Sequence, residues 1–163
     1  MKKKVFEGKH VVVVAHNGWE FVERTKAKDA AAIVAVTADQ QLILTEQYRA
    51  PVDGYVIDLP AGLIEEESGE ETARRELEEE TGFACSAVRL LASSPTSPGI
   101  TSEIVHFYRA TGLRRTGKGG GVDSEDIEVH VVPLRGIETW LRSRETLIDA
   151  KVWAGLYFAS QST

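Results

Sequence analysis

The chain has 163 residues, a formal net charge of −6 and one cysteine, Cys85. This length fits a single domain, residues 1–163, that can bury a core. The acidic charge argues against a nucleic-acid partner, because phosphate backbones select basic patches. A lone cysteine forms no internal disulfide, which favours a reducing compartment and a cytoplasmic location. No stretch approaches the roughly 20 apolar residues of a membrane span, so we expect no membrane partner.

Strand patterns dominate the first third of the chain. Asn17 and Gly18 form a strong hairpin-turn signal between two segments rich in apolar residues. The strands expected in this region are Val11–His16, Trp19–Arg24, 30–37, 41–47 and 55–59.

A helix of about four turns is predicted in the middle of the chain. Ser68 is a good N-cap, and Glu71 three residues later completes a capping box. Ala73 and Leu77 give the helix an apolar stripe that faces a core. Gly82 can adopt the left-handed conformation that ends a helix. The predicted helix therefore packs on one side and leaves the other side open.

The second half of the chain combines strands with late helices. The expected strands are 87–93, 104–110 and 127–133, and the expected helices are 137–144 and 146–160. The last helix offers a core face made of Leu147, Ile148, Val152, Leu156 and Phe158. The glycine-rich segment 117–121 is typical of a mobile loop. Together these elements predict an α/β fold, in which a mixed β-sheet is sandwiched between α-helices (α/β/α).

Glu76, Glu79 and Glu80 lie three and four positions apart on the central helix. Such positions share one helix face, with Cβ atoms roughly 5–6 Å apart. Carboxylates this close repel one another unless a cation neutralises them. Acidic runs are often only solvated faces, but no lysine lies between Lys28 and Lys118 to offset the charge. Hard oxygen ligands suit Mg²⁺ or Mn²⁺ better than zinc, so the cluster predicts a site for one of these ions.

The segment 75–83 resembles the Nudix box, which reads Arg-Glu-hydrophobic-any-Glu-Glu-any-Gly-hydrophobic. Glu67 stands at the family's spacing before Arg75, whereas the loop between Gly62 and Glu67 is one residue shorter than in the family. The resemblance implies a Nudix fold and hydrolysis of a nucleoside diphosphate linked to another moiety. It also implies that the carbonyl of Ala61 contributes to the metal site. Arg75 is expected to orient a box carboxylate, with a surface salt bridge as the alternative.

Further segments resemble the ADP-ribose pyrophosphatase branch of this family, namely 19–24, 45–49, 57–62, 97–103 and 123–127. At two of its acidic positions the branch commonly has Glu, where this chain has the shorter Asp58 and Asp123. The resemblance implies Mg²⁺-dependent cleavage of ADP-ribose to AMP and ribose 5-phosphate. A hydrolase of other nucleoside diphosphate sugars, such as GDP-mannose, is the enzymatic alternative. A catalytically silent ligand sensor is the third hypothesis, which the intact glutamate cluster disfavours.

Four residues are candidates for substrate binding. Arg49 can grip the diphosphate through its planar fork, or is only an edge-strand charge. Glu103 can accept a ribose hydroxyl, or is an ordinary acid at a strand start. Asp58 is assigned to the substrate by resemblance. An aromatic residue such as Trp19 stacks the nucleobase in this branch, sometimes across a homodimer that exchanges N-terminal strands (here about residues 5–24); a core or interface tryptophan is the alternative.

The general base is expected in the acidic segment that follows the glycine-rich loop. Loops that close over a site often deliver the last catalytic group. A carboxylate there can deprotonate a water already made more acidic by a bound cation. Glu125 is the first candidate by residue type and Asp123 the second by position, with a solvated acidic loop as the alternative.

Overall fold

The computed structural model describes residues 1–122 and 126–161. In chain order the elements are β1 Lys3–Glu7, β2 Val11–His16, β3 Trp19–Arg24, β4 Asp29–Ala35, β5 Gln41–Arg49, a 3-10 turn Ala50–Val52, β6 Gly54–Asp58, β7 Ala61–Ile64, α1 Gly69–Thr81, β8 Phe83–Ala84, β9 Ala87–Pro95, β10 Ile104–Thr111, β11 Arg114–Arg115, β12 Glu128–Pro133, α2 Ile137–Arg142, β13 Leu147–Ile148 and α3 Ala150–Ser160. Among these residues, none of the helices is long and apolar enough to cross a membrane.

The first three strands form an antiparallel sheet in the order β1-β2-β3. The predicted bounds of β2 and β3 are confirmed. Asn17 and Gly18 join these strands with φ angles of 50° and 82°, the positive values that a two-residue hairpin turn requires. Val22 ties this sheet to the rest of the protein: its N–H donates to the carbonyl of Ile100 at 2.8 Å, and its carbonyl accepts from the N–H of Ser102 at 3.2 Å.

Two four-stranded mixed sheets form the body of the fold. The first has the order β7-β4-β10-β9, in which β4 and β10 are parallel and the other pairs antiparallel. The second has the order β12-β5-β6-β13, in which β6 and β13 are parallel. The predicted mixed β-sheet is confirmed and is divided between these two sheets. A bridge between Val36 and Leu42 links β4 to β5, which belong to separate sheets.

Helices cover both sides of these sheets. Side chains alternate across a strand, so β4 contributes to two hydrophobic cores. Val34 belongs to the core that contains Leu141 of α2 and Val152 of α3. Ile33 belongs to the other core, which contains Leu77 of α1. The predicted α/β/α arrangement is therefore confirmed.

Helix α1 begins and ends at the predicted residues. The Ser68 hydroxyl accepts from the N–H of Glu71 at 3.2 Å, and the Glu71 carboxylate accepts from the N–H of Ser68 at 2.9 Å, which completes the capping box. Gly82 ends the helix with φ 71° and ψ 20°. Ala73 and Leu77 are fully buried, so the predicted core face is confirmed. Glu80 is buried as well, so the glutamates of α1 do not form a face that is separate from the core face.

The helix predicted over 146–160 is wrong in its first turn. Leu147 and Ile148 instead pair with β6, and Asp149 caps α3 by accepting from the N–H of Lys151 at 2.8 Å. Leu147 is exposed rather than in the core. The other residues expected in the core do pack there, namely Ile148, Val152, Leu156 and Phe158.

The glycine-rich segment 117–121, expected to be a mobile loop, docks on the end of α1. The N–H of Gly120 donates to the carbonyl of Glu80 at 2.8 Å, and the N–H of Gly121 donates to the carbonyl of Glu79 at 3.1 Å. These bonds satisfy carbonyls that the last turn of a helix leaves without an internal partner. Both flanks of the acidic segment are held near this point, because the N–H of Ile127 donates to the carbonyl of Gly120 at 3.4 Å.

Candidate active site

A cleft of about 850 Å³ is lined by residues of β5, β6, β7, α1 and α3. Most of the residues predicted for the site line it: Arg49, Asp58, Ala61, Arg75, Glu76, Glu80 and Glu103. These residues are up to 54 positions apart in the sequence (103 − 49), and the fold brings them to one cavity.

Gly62 gives the Glu76 carboxylate its place in the cleft. A Cβ atom on Gly62 would lie 1.9 Å from Oε1 and 2.0 Å from Cδ of Glu76. No side chain fits at position 62 while Glu76 keeps this position. The glycine that opens the Nudix-like sequence is therefore required by a close approach to the first box glutamate.

Glu80 is held against the start of β7. Its side chain is 5% exposed, and its Oε2 accepts from the N–H of Ala61 at 3.0 Å. Pairing of Ala61 with Ala32 fixes the start of β7 to β4. Glu76, Glu80 and Ala61 line the same cleft, and the two carboxylates are hard-oxygen donors that suit Mg²⁺ or Mn²⁺.

Arg75 binds three carboxylates at the rim of this cluster. It donates to Glu67 at 2.7 Å and to Glu79 at 2.8 Å, and its guanidinium lies 2.9 Å from Oε1 of Glu76. The bonds to Glu67 and then to the other two carboxylates raise the pKa of the Arg75 guanidinium, against the opposing effect of burial. This geometry supports the expected role of Arg75 in orienting carboxylates. Glu67 takes part in spite of the shorter loop before it.

Glu79 does not line the cleft as Glu76 and Glu80 do. Its carboxylate turns to Arg75. Within residues 1–122 and 126–161, the trio of ligand-type side chains whose atoms lie within 4.8 Å of one another is Glu46, Glu128 and His130, rather than the three box glutamates.

Glu46 and His130 of that second trio form a hydrogen-bonded structural cluster on β5 and β12, with Glu128 at 3.8 Å from His130. Nε2 of His130 lies 2.7 Å from Oε2 of Glu46, whose carboxylate also accepts from Thr146 at 2.9 Å and from Arg144 at 3.3 Å. Burial favours the neutral acid, but His130, Thr146 and Arg144 outweigh it and hold the pKa of Glu46 below its usual value. Arg144 already provides a positive charge to the Glu46 carboxylate, which a metal ion at this place would need as a ligand.

The predicted substrate residues differ in their surroundings. Arg49 is exposed at the end of β5 and forms no ion pair with the acids of the described residues. Glu103 forms an ion pair with Arg24, another cleft residue. Asp58 is 4% exposed, and Oδ2 lies 3.0 Å from Nζ of Lys151 while Oδ1 accepts from the N–H of Leu59 at 2.7 Å.

Arg24 and Lys151 are cleft residues that sequence reasoning did not find. Lys151 lies in the first turn of α3, where its neighbours in sequence are mostly apolar. No local pattern marks it, because its partner Asp58 is 93 positions earlier (151 − 58). Arg24 ends β3, and its ion pair with Glu103, 79 positions later, is not visible from the local sequence.

Trp19 lies outside this cleft. It lines a separate cavity of about 390 Å³ with Phe21, Thr101, Ser102 and other residues of the N-terminal sheet and the 98–102 loop. Its side chain is 61% exposed. Within one chain, Trp19 and the box glutamates therefore belong to different cavities.

The two candidates for the general base, Glu125 and Asp123, lie outside the described residues.

A family model described as "NUDIX domain" matches residues 26–152. This match covers most of the chain and includes the whole box with its glutamates. The chain belongs to the Nudix family, so the enzyme class predicted from the sequence, a Nudix pyrophosphohydrolase, is confirmed at the level of the family.

Three proteins are similar to this chain in sequence. An "ADP-ribose pyrophosphatase" of Bacillus subtilis (strain 168) is 34% identical over 92% of this chain and 85% of its own length. A "Methanol dehydrogenase activator" of Bacillus methanolicus is 41% identical over 60% of this chain and 53% of its own length. A "GDP-mannose pyrophosphatase" of Enterobacter sp. (strain 638) is 38% identical over 58% of this chain and 53% of its own length. The chain spans about half the length of the last two.

A solved structure confirms the fold. The crystal structure of an "ADP compounds hydrolase" has a TM-score of 0.76, covering 96% of this chain and 88% of its own, at 24% sequence identity. At this identity the likeness extends to the arrangement of strands and helices and not to the substrate.

Proposed function

We propose that this protein cleaves the pyrophosphate bond of ADP-ribose with Mg²⁺, giving AMP and ribose 5-phosphate. The observation that carries the proposal is the cleft itself, which Glu76 and Glu80 line together with Ala61 and Arg49. An anionic diphosphate needs both a cation to meet the carboxylates and a positive side chain to orient it.

The residues divide the work of the reaction between them. Glu76, Glu80 and the carbonyl of Ala61 would hold the cation. Arg75 orients the carboxylates that it contacts. When bound by these residues, a divalent cation would supply positive charge against the diphosphate and would make the attacking water more acidic. Arg49, which has no acidic partner in the described part of the chain, is available to the phosphate oxygens.

The bond that forms joins the water oxygen to phosphorus, and the bond that breaks joins phosphorus to the bridging oxygen. The water gives its proton to a carboxylate of the acidic segment, for which Glu125 is our first candidate and Asp123 the second. The docking of Gly120 and Gly121 on the carbonyls of Glu80 and Glu79 supports this assignment. Because of these bonds, the chain enters the acidic segment from the end of the helix that carries the proposed metal ligands. Glu103 is proposed to contact the ribose side of the substrate, whereas both carboxylate oxygens of Asp58 are engaged by Lys151 and Leu59.

ADP-ribose is preferred as substrate because the relative that bears that name matches nearly the whole chain. The similarity to a GDP-mannose pyrophosphatase favours the second candidate, a hydrolase of other nucleoside diphosphate sugars. That similarity covers only slightly more than half of each chain. The family resemblance suggests that Trp19 stacks the nucleobase.

We also propose a cytoplasmic homodimer, with the N-terminal sheet at the interface. Phe6 and Val5 of β1 are 59% and 54% exposed, and Trp19 of β3 is 61% exposed, so this sheet presents apolar surface. Because Trp19 lies in a separate cavity from the cleft of its own chain, a second copy is the route by which it would reach a substrate. Sedimentation of a monomer at micromolar concentration would remove this part of the proposal.

A substrate panel tests the activity. The protein is incubated with Mg²⁺ and ADP-ribose, GDP-mannose or other nucleotide sugars, and phosphate is counted after phosphatase treatment of the products. We expect ADP-ribose to give the highest kcat/KM, with AMP and ribose 5-phosphate as products. A preference for GDP-mannose would establish the second candidate, and no hydrolysis of any compound would contradict both. The Glu80→Gln variant, prepared in parallel, controls for a contaminating hydrolase.

A further inference from the structure

The turn between β6 and β7 sets the position of both cleft glutamates. Ala61, the first residue of β7 after this turn, donates its N–H to Glu80 at 3.0 Å, and Gly62 lies directly beneath the carboxylate of Glu76. A small displacement of the turn would therefore move both carboxylates. What holds the turn consequently also determines the geometry of the proposed metal site.

Helix α3 contacts the start of this turn at two points. Nζ of Lys151 lies 3.0 Å from Oδ2 of Asp58, the last residue of β6. Gly155 of α3 faces Leu59, since a Cβ atom on Gly155 would lie 2.9 Å from Cδ2 of Leu59. Lys151 and Gly155 are four residues apart and so share one face of the helix. This face of α3 lies directly against the chain that leads into Ala61.

Lys151 is a buried, fully engaged cation. Its side chain is 16% exposed, and Nζ also lies 2.8 Å from Oδ1 of Asp149. Burial disfavours the charged form, but Asp58 and Asp149 outweigh this effect and raise the pKa of Lys151. The ammonium is therefore charged at neutral pH. Its partner Asp58 accepts from the N–H of Leu59 at 2.7 Å with the second carboxylate oxygen. Through Asp58, Lys151 is therefore linked to the first residue of the turn.

We propose that Lys151 is a positioning residue for the metal site: by holding Asp58 from α3, it fixes the turn that leads into Ala61 and Gly62 of β7 and thereby sets the places of Glu80 and Glu76. This inference rests on the proposed function, in that these residues are taken to bind a divalent cation. A buried carboxylate that loses its cationic partner must be rearranged or neutralised. Asp58 would then release the N–H of Leu59, and the turn would be held only by its bonds to β4.

The test measures Mn²⁺ binding to the substrate-free protein, by the electron paramagnetic resonance signal of free Mn²⁺. We expect Lys151→Met to weaken Mn²⁺ binding at least five-fold and Lys151→Arg to restore it to within two-fold of the wild type. Lys26→Met, which removes an exposed lysine outside the cleft, should leave Mn²⁺ binding unchanged. Circular dichroism at each step establishes that the variants are folded.

The outcomes separate this inference from the proposed function. If the wild type binds no Mn²⁺, the proposed function fails. If the wild type binds Mn²⁺ and folded Lys151→Met binds it equally well, the positioning role is overturned; an increase in KM without any change in Mn²⁺ binding would instead make Lys151 a direct substrate contact. Lys151→Gln, which is neutral but can still hydrogen-bond to Asp58, replaces the methionine variant if that variant does not fold. Failure of both to fold would overturn a role specific to the metal site.

Discussion

Gly62 and Glu76 are in such close approach that a single methyl group cannot be placed between them, because a Cβ on Gly62 would lie 1.9 Å from Oε1 of Glu76. Gly62→Ala should therefore push the carboxylate out of its place. A displacement of about 1 Å at a catalytic group can cost 10²-fold in rate. We expect kcat to fall by about that factor, measured as phosphate released from ADP-ribose at saturating Mg²⁺.

Gly99→Ala is the matched control for this change. Gly99 has no neighbour within 4 Å of the added Cβ, and its φ is not in the left-handed region. Its activity should remain within two-fold of the wild type. Full activity in Gly62→Ala would show that the position of Glu76 is not critical to the reaction.

Arg75 is expected to depend on its planar fork and not on its charge alone. It reaches Glu67 and Glu79 through different nitrogens, an arrangement that a lysine cannot reproduce. Arg75→Lys should lower kcat/KM about ten-fold, the scale of a lost charge-assisted hydrogen bond. Arg74→Lys on the same helix is the control, since Arg74 bonds to the carbonyl of Cys85, away from the cleft. Equal losses in the two variants would argue for a general effect on the helix.

The docking of the glycine-rich segment can be tested with two glycines. A Cβ on Gly119 would lie 2.4 Å from the carbonyl carbon of Thr81, and its φ of 72° disfavours other residues, whereas Gly117 has open space at its Cβ and no such φ. Gly119→Ala should displace the segment from the end of α1 and lower kcat at least ten-fold, because loops that complete a site control turnover. Gly117→Ala should be nearly neutral. Equal activities of the two variants in a steady-state assay would contradict a role for this docking.

Glu46 should make the stability of the fold sensitive to acid. Because its pKa is lowered in the folded protein, its contribution to stability is present above the unfolded value of about 4.3 and is lost as pH falls through the folded pKa. Glu46→Gln should cost about 1–3 kcal/mol at pH 7, as expected for hydrogen bonds to a charged group. The difference from the wild type, measured by urea unfolding, should shrink on acidification. A difference that is constant from pH 7 to pH 3 would contradict the assignment.

Local signals account for the parts of the fold that were predicted most closely. The hairpin at Asn17 and Gly18 needs only a turn type, and α1 needs only its cap at Ser68 and its stop at Gly82. Long-range pairing accounts for the parts that were missed. Ala61–Ile64 is a strand because it pairs with β4, and Leu147–Ile148 is a strand because it pairs with β6, and neither partner is visible from the local sequence.

The site shows the same division. The spacing of Glu76 and Glu80 on one helix was sufficient to place both in a common cleft. Helical spacing allows Glu79 to bond to Arg75, four positions earlier. It does not show that Glu79 takes this partner instead of lining the cleft. Lys151 reaches Asp58 through the packing of α3 on β6, a contact between segments 93 residues apart in sequence (151 − 58).

The central claim is that Glu80 is a ligand for a divalent cation in this cleft, and Mn²⁺ titration of Glu80→Gln tests it most directly. Glutamine keeps the shape of the side chain and an oxygen that can accept from the N–H of Ala61, but it removes the negative charge. Glu78→Gln, an exposed neighbour on the same helix, is the control. We predict that Glu80→Gln loses at least ten-fold in Mn²⁺ affinity and at least 100-fold in ADP-ribose turnover, the scale of a lost electrostatic stabiliser, while Glu78→Gln changes neither. Wild-type Mn²⁺ affinity and turnover in Glu80→Gln would contradict the account.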